Sequence, residues 1–382
     1  MKNKKILFIS HDASRSGAPI LLLNLAEILI KNRITVEFLL KTGGPLEKDF
    51  KLKGQTYIVK SANGPTLFQR IINKPSSIRR SKYKIENLPW HTYDYILSNT
   101  ITNGDILPQI RLKYNGPIIS YIHELEMSTY YATEPYFLNQ LIKTSNWFLV
   151  PSKVVKKHLI ENLSIENEKI DILQYYIPAQ SCKDYPIEKG SKSEFTVGCI
   201  GTAEWRKGTD LFIQVALIIL KKSPNANIRF VWKGVLNTGS EREKLLYDIN
   251  KAGLTGEIIL LPSSENVKDF YESIDVLFLS SREDPYPLAV LEAADYSVPT
   301  ICFKNAGGAQ EFIEESGGGL TVNYLDLNEA AENIINYSVE ERRRFETGKK
   351  AKAFLCSTHQ NENYIIDQFE NIISKVLNQI DI

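Results

Sequence analysis

The sequence predicts an α/β protein of two doubly wound, Rossmann-like domains, and three observations lead there. Apolar strand-like runs alternate with helix-like segments along the chain, the pattern of parallel sheets covered by helices. At 382 residues the chain exceeds what one ordinary hydrophobic core organises. The stretch Pro178–Glu194 is polar, carries Pro and Gly, shows no periodicity and divides the alternation in two. The expected organisation is one domain over 1–177, a linker over 178–194 and a second domain over 195–360.

In the first domain strands are expected near Lys5–Ser10, Thr35–Leu40, Thr56–Val59, Tyr95–Ser98, Pro117–Ile122 and Trp147–Val150. In the second they are expected near Phe195–Ile200, Asn227–Trp232, Ile258–Leu261, Val276–Leu279 and Thr300–Phe303. Two doubly wound sheets facing one another would leave a cleft at the carboxyl ends of their strands, where ligands of such folds sit.

Hydrophobic residues at 43% and charged residues at 24% are ordinary for a soluble globular protein. Runs such as Ile6–Ile9 and Val276–Leu279 fall far below the roughly 20 apolar residues that span a bilayer. Met1–Lys5 is followed by a short strand-like segment and not by a leader pattern. Cys182, Cys199, Cys302 and Cys356 are scattered without a Cys-x-x-Cys pair, which points to thiols and away from disulfides or a metal site. A cytoplasmic protein is expected. Charge is unevenly placed: residues 1–177 hold 24 Lys or Arg against 15 Asp or Glu, a net +9, and the remainder holds 22 against 30, a net −8. A basic first half suits an anionic partner.

The most informative stretch is Ser281–Ala293, SREDPYPLAVLEA. Glu283 and Asp284 stand between a strand and a short helix, and Glu292 follows inside that helix among Leu288, Val290, Leu291 and Ala293. A carboxylate in so apolar a setting is costly unless something pairs with it, and sugar hydroxyls are natural partners. The helix start beside these residues suits a diphosphate.

Four further motifs stand at expected strand ends. Ser14–Pro19 places Gly17 and Ala18 at a helix start where free N–H groups favour anions, although an ordinary strand-to-helix turn reads the same. No Gly-x-Gly-x-x-Gly or Walker pattern accompanies it. His123-Glu124 follows the fifth strand and His11 the first; both histidines are candidates for a ligand or for a structural role. His91, His158 and His359 read as surface or helix residues. Gly201–Asp210 sets Arg206 and Lys207 where cations can meet a diphosphate, with Gly208 giving close approach; a solvated basic turn is the competing reading. Asn305–Glu311, with Gly307 and Gly308, offers either a backbone site for a polar ligand or a plain tight turn. Away from these, residues 70–84 carry basic side chains interleaved with apolar ones and no acid, which suits an anionic membrane surface or a flexible basic loop. No recognised nucleic-acid motif accompanies the patch, so nucleic acid is not an expected partner.

Taken together these pieces resemble the family-4 retaining glycosyltransferases of the GT-B fold. The resemblance runs from Ser14–Pro19 through His123-Glu124 and Arg206-Lys207-Gly208 to Asp284–Glu292 and Gly307-Gly308, in that order. The final segment 361–382 is similar to the C-terminal helix that returns to the first domain in that family. The family holds its donor with two glutamates eight residues apart. Glu292 matches the second, whose implied role is to bind the ribose hydroxyls. The first position falls on Asp284, one methylene shorter, with Glu283 next to it. Lys207 matches the lysine that neutralises the donor diphosphate, His123 a histidine near the transferred sugar, and Gly17 the glycine of the first-domain loop. The backbone around Tyr286, Pro287 and Leu288 would contact sugar or diphosphate through the Tyr286 and Leu288 amides. An arginine of the family is replaced by Thr202, for which Arg206 is the candidate substitute.

The resemblance implies transfer of a sugar from a nucleotide-diphosphate sugar to a glycan or lipid-linked acceptor hydroxyl, with retention of configuration, in surface polysaccharide or glycolipid synthesis. The first domain would hold the acceptor. No Asp-x-Asp motif occurs, so neither a metal nor any cofactor beyond the nucleotide-sugar substrate is expected, and Lys207 with a helix dipole would take the place of a cation. Peripheral contact with the inner membrane face through 70–84 is expected with it. A sugar-nucleotide epimerase on the same fold and a non-catalytic nucleotide-sugar binder are the alternatives.

Overall fold

A computed structural model describes residues 4–59, 85–180, 194–264 and 266–380. The basic segment 70–84 and most of the expected linker lie outside the described residues. The chain divides into two compact units. The first takes in Met1–Pro151, Val155–Tyr176 and Glu362–Ile382, and the second takes in Ser152–Val154 and Ile177–Asn361.

The first unit is built on seven strands: β1 (Lys5–Ser10), β2 (Thr35–Leu40), β3 (Thr56–Ile58), β4 (Tyr95–Asn99), β5 (Ile118–Tyr121), β6 (Trp147–Val150) and β7 (Ile170–Ile172). Their order across the sheet is β3-β2-β1-β4-β5-β6-β7, with parallel pairing throughout. Helices cover both faces of such a sheet, so β4, β5 and β6 are buried along their whole length and read as unbroken apolar runs. Phe8, Phe38 and Phe50 form an edge-to-face chain with centroids 6.1 and 5.1 Å apart.

The second unit carries β8 (Phe195–Ile200), β9 (Ile228–Lys233), β10 (Ile258–Leu261), β11 (Val276–Leu279), β12 (Thr300–Phe303) and β13 (Gly319–Val322). They lie in the order β10-β9-β8-β11-β12-β13, again all parallel. Phe212, from the helix Thr209–Lys222, sits edge-on to Phe230 at 5.7 Å and to Trp232 at 5.3 Å in the centre of this core. Strands β7 and β13 were not expected from the sequence. Ile-Asp-Ile is too short to show a period, and Gly317-Gly-Gly319 at the head of β13 reads as a turn.

In each sheet the strand order reverses once, between β1 and β4 and between β8 and β11. Loops leaving neighbouring strands diverge there, one to each face, and open a crevice at the carboxyl ends. The sequence motifs fall on these loops: Ser14–Pro19 follows β1, Gly201–Asp210 follows β8, and Ser281–Ala293 follows β11.

The helix Glu362–Ile380 belongs to the first unit. Ile365, Phe369, Ile373 and Val376 recur at helical spacing and are fully buried. Phe369 meets the ring of Tyr95 at 6.5 Å, and Glu362 accepts from Lys31 Nζ at 2.6 Å and from the Tyr176 hydroxyl at 3.0 Å. Among the described residues no helix is long and apolar enough to cross a membrane. Replacing Phe369 with Ala removes a fully buried ring and is expected to cost about 3–5 kcal/mol of unfolding free energy in urea titrations. An unchanged midpoint would show that this helix is not docked as described.

Candidate functional site

In the second unit the loops after β8 and β11 are laced together. The amide of Arg282 donates to the Arg206 carbonyl at 2.8 Å, and Ser280 Oγ donates to the Gly208 carbonyl at 2.9 Å. Gly208 has φ +71°, and a Cβ there would stand 2.0 Å from the Ser280 carbonyl oxygen, so only glycine lets the loops close this far. Two arginines brace the seam in opposite directions. Arg206 reaches across to the Glu283 carbonyl at 2.9 Å and to Glu204 at 2.9 Å. Arg282 reaches back to the Trp205 carbonyl at 2.7 Å, forks onto both oxygens of Asp210 at 2.8 and 2.7 Å, and lies over the Trp205 ring. The Arg282 guanidinium holds the Asp210 carboxyl below its ordinary pKa.

This seam brings the Lys207 ammonium onto Asp284 Oδ2, with the two side chains 19% and 8% exposed. Although 77 positions apart, the two meet because β8 and β11 are neighbours. The backbone of Asp284 is fixed from the other side. Its amide donates to the Ala306 carbonyl at 2.7 Å and its carbonyl accepts from Gly308 N at 3.2 Å, forming a short bridge with Gly307. A Cβ on Gly307 would fall 1.7 Å from the Asp284 oxygen, and one on Gly308 would fall 2.4 Å from the Tyr286 ring. The paired glycines therefore admit this close approach of backbone, which the sequence alone could not separate from a ligand-facing turn.

Pro287 is the extended residue before the helix Leu288–Asp295; it offers no side-chain cap, and its carbonyl accepts from Val290 N at 3.1 Å, which leaves the Leu288 and Ala289 amides at the helix start. One turn on, Glu292 Oε2 accepts from the Tyr271 hydroxyl at 2.7 Å. Tyr271 is fully buried and stacks on Tyr296 at 5.5 Å. Burial raises the Glu292 pKa, and the Tyr271 donor draws it back down. The Tyr286 ring turns inward, where its hydroxyl meets His359 Nε2 at 2.9 Å. His158 lies in the helix Lys153–Glu161, one of the two placements expected for it, and is buried there, while His359 lies in neither a helix nor at the surface but is fully buried in the turn after the helix Glu341–Ser357.

In the first unit the helix Gly17–Lys31 starts after Ser16, which makes no side-chain cap, and its first turn carries no acid. Gly17 and Ala18 are therefore at an uncapped, electropositive helix end. The Ala18 carbonyl accepts from Asn99 Nδ2 at 2.9 Å, which turns Asn99 Oδ1 toward His123 Nε2 at 2.6 Å. His123 thus carries its proton on Nε2, and Nδ1 accepts from the Tyr175 hydroxyl at 2.8 Å. Both ring nitrogens are engaged by the protein. Burial, with His11 adding to it, pushes the His123 pKa down to about 3, so the ring is neutral. Beside it Glu124 accepts from His123 N at 2.9 Å and Ile101 N at 3.3 Å, while burial lifts its carboxyl to about 7. This unit also holds a cavity of about 830 Å³ bounded by Lys41, Asp105, Glu126, Tyr130 and Tyr131.

The structure therefore gathers Arg206, Lys207, Glu283 and Asp284 into one seam with the Tyr286–Glu292 segment leading from it, all in the second unit. Gly17, Ala18 and His123 form a separate cluster in the first. Sequence reasoning missed Arg282, Asp210 and Tyr271. The spacing of Tyr271 from Glu292 carries no signal until β11 and its flanking helices are placed. Among the described residues no three His, Cys, Asp or Glu side chains converge as metal ligands would.

Residues 184–354 match the family of glycosyl transferases group 1. The chain is 25% identical over 140 residues to an uncharacterized glycosyltransferase of Haemophilus influenzae, covering 36% of this chain and 38% of that protein. It is 23% identical over 236 residues to a poly(ribitol-phosphate) alpha-N-acetylglucosaminyltransferase of Staphylococcus aureus, covering 58% of this chain and 47% of that protein. These matches span less than two thirds of either relative's length. Among solved structures, HepE of Anabaena in complex with UDP-glucose superposes with a TM-score of 0.77 at 17% identity, covering 97% of this chain and 99% of that one. The two Rossmann-like units accordingly share the GT-B fold.

The neighbouring His123 and Glu124 give opposite pH dependences. Glu124 is raised from 4.5 to about 7 in the fold, so its contribution falls as pH rises through that window. His123 is lowered from 6.5 to about 3, so its contribution falls as pH drops through that one. Glu124→Gln removes the first effect only. The unfolding free energy of the variant minus that of the wild type is expected to grow between pH 4.5 and 7; a difference that is flat with pH would contradict a carboxyl whose pKa the fold raises.

Proposed function

We propose that the chain is a retaining glycosyltransferase that moves a sugar from a nucleotide-diphosphate sugar to a hydroxyl of a glycan or lipid-linked acceptor. The observation that carries this reading is the Lys207–Asp284 pair at the switch point of the second sheet, one loop away from an open helix start and Glu292. It lies inside the segment that matches the glycosyl transferases group 1 family.

In this reading the diphosphate rests between the Lys207 ammonium and the amides at the start of the helix Leu288–Asp295, where helix dipole and charge both favour an anion. Glu292, held by Tyr271, accepts from the ribose hydroxyls. Asp284 holds Lys207 in place before the donor arrives and faces the donor sugar with Glu283 beside it. The bond from the anomeric carbon to the diphosphate oxygen breaks, and its electrons go to that oxygen. The acceptor oxygen bonds to the same face of the sugar and its proton passes to the leaving phosphate. Lys207 and the helix stabilise the charge that develops there, without a metal. His123, neutral and held at both nitrogens, positions the first-unit loop and does not transfer the proton. The acceptor is seated in the first unit, which holds Gly17, Ala18 and the 830 Å³ cavity.

The test is a screen of UDP-, GDP- and ADP-sugars for nucleotide release in the presence of glycan and glycolipid acceptors. One donor is expected to turn over, and Lys207→Met is expected to lower kcat about 100- to 1000-fold. Absence of turnover and of thermal stabilisation across all donors would remove the reading, and interconversion of the donor without acceptor would favour an epimerase. Residues 70–84, outside the described part of the structure, complete the proposal with contact to the inner membrane face. Binding to vesicles containing anionic lipid is expected to fall as salt is raised; equal binding to neutral vesicles would exclude it.

A further inference from the structure

Lys233 closes β9 at the carboxyl edge of the second sheet and is 9% exposed. A lysine so deeply set normally meets a carboxylate, yet Lys233 has no side-chain hydrogen bond or ion pair among the described residues. Its backbone is tied to the seam: the Lys233 carbonyl accepts from Gly201 N at 2.9 Å, and Trp232 Nε1 donates to the Gly201 carbonyl at 2.9 Å. Gly201 is also where Lys207 passes. A Cβ on Gly201 would lie 3.5 Å from Lys207 Cδ, so the Lys207 side chain and the Lys233 backbone meet at one glycine. Alternation along β9 puts Ile228, Phe230 and Trp232 in the core cluster and Lys233 on the other face. In register with β8, that is the face on which Gly198 lies against Phe270 and Ile274. The same helix, Lys268–Ser273, supplies Tyr271 to Glu292.

Position 202, next to this glycine, is a threonine where the resemblance leads one to expect an arginine, and the Arg206 guanidinium is engaged by Glu283 and Glu204. We propose that Lys233 is the second cation of the donor site and contacts the nucleotide diphosphate from the β9 side, in place of the arginine absent at Thr202. The inference rests on the donor reading given above.

The test is titration of the full chain with UDP, GDP and ADP, and with the matching nucleoside, by calorimetry and ligand-observed NMR. Lys233→Met is expected to weaken the preferred nucleoside diphosphate by about tenfold or more while leaving nucleoside affinity within about twofold. Lys233→Arg is expected to retain binding, and Thr202→Arg added to Lys233→Met is expected to recover most of the loss. Thermal melts of the variants separate these effects from misfolding. Diphosphate affinity unchanged in Lys233→Met overturns the assignment, as does an equal loss of diphosphate and nucleoside affinity, or absence of recovery with Thr202→Arg. Wild-type protein that binds none of the three diphosphates removes the donor reading itself, and the inference with it.

Discussion

The second unit is organised around one part-buried ion pair, Lys207 with the buried Asp284. Such a pair contributes little net stability, because desolvation offsets the attraction, but loss of Lys207 strands the charge of the buried Asp284. That asymmetry explains the surrounding construction. Gly208 lets the β8 loop meet Ser280, Gly307 lets Asp284 meet the loop after β12, and Arg206 with Arg282 ties the two sides in both directions. All of these contacts fix where one ammonium stands. A positive group held without reorganisation is what a departing diphosphate requires. In the proposed function the pair is a resting arrangement, in which Asp284 holds the position of Lys207 until a phosphate shares it.

The cluster in the first unit follows a different principle. There charge is held down: His123 is neutral and hydrogen-bonded on both sides, and Glu124 accepts from two backbone amides with its pKa raised by burial. Such a network fixes the loop after β5 and the helix start at Gly17 through Asn99 and Ala18. It leaves the uncapped amides of that helix as the positive element of the cluster.

Much of this was legible in the residues. Alternating apolar runs located most of the strands, because a parallel sheet buried on both faces writes itself as unbroken apolar segments. The motifs were legible because turn glycines and charges stand out against those runs. What could not be read was the partner of each charge. Lys207 and Asp284 are 77 residues apart, and only the adjacency of β8 and β11 joins them. Arg206 reads as a phosphate ligand until its guanidinium is seen on Glu283 and Glu204. Tyr271 carries no signal of its own and His359 reads as a surface or helix residue; both are buried partners of the Ser281–Ala293 segment. Lys233 looks like the unremarked end of a strand, and only its burial without a carboxylate sets it apart.

A structure of the chain with the nucleotide-sugar that it turns over tests the proposed donor site most directly. The diphosphate is expected within hydrogen-bond reach of Lys207 Nζ and the Leu288 amide, the ribose on Glu292, and the contact between Lys207 and Asp284 lengthened. A nucleotide bound away from the loops after β8 and β11, with the Lys207–Asp284 pair undisturbed, would contradict it.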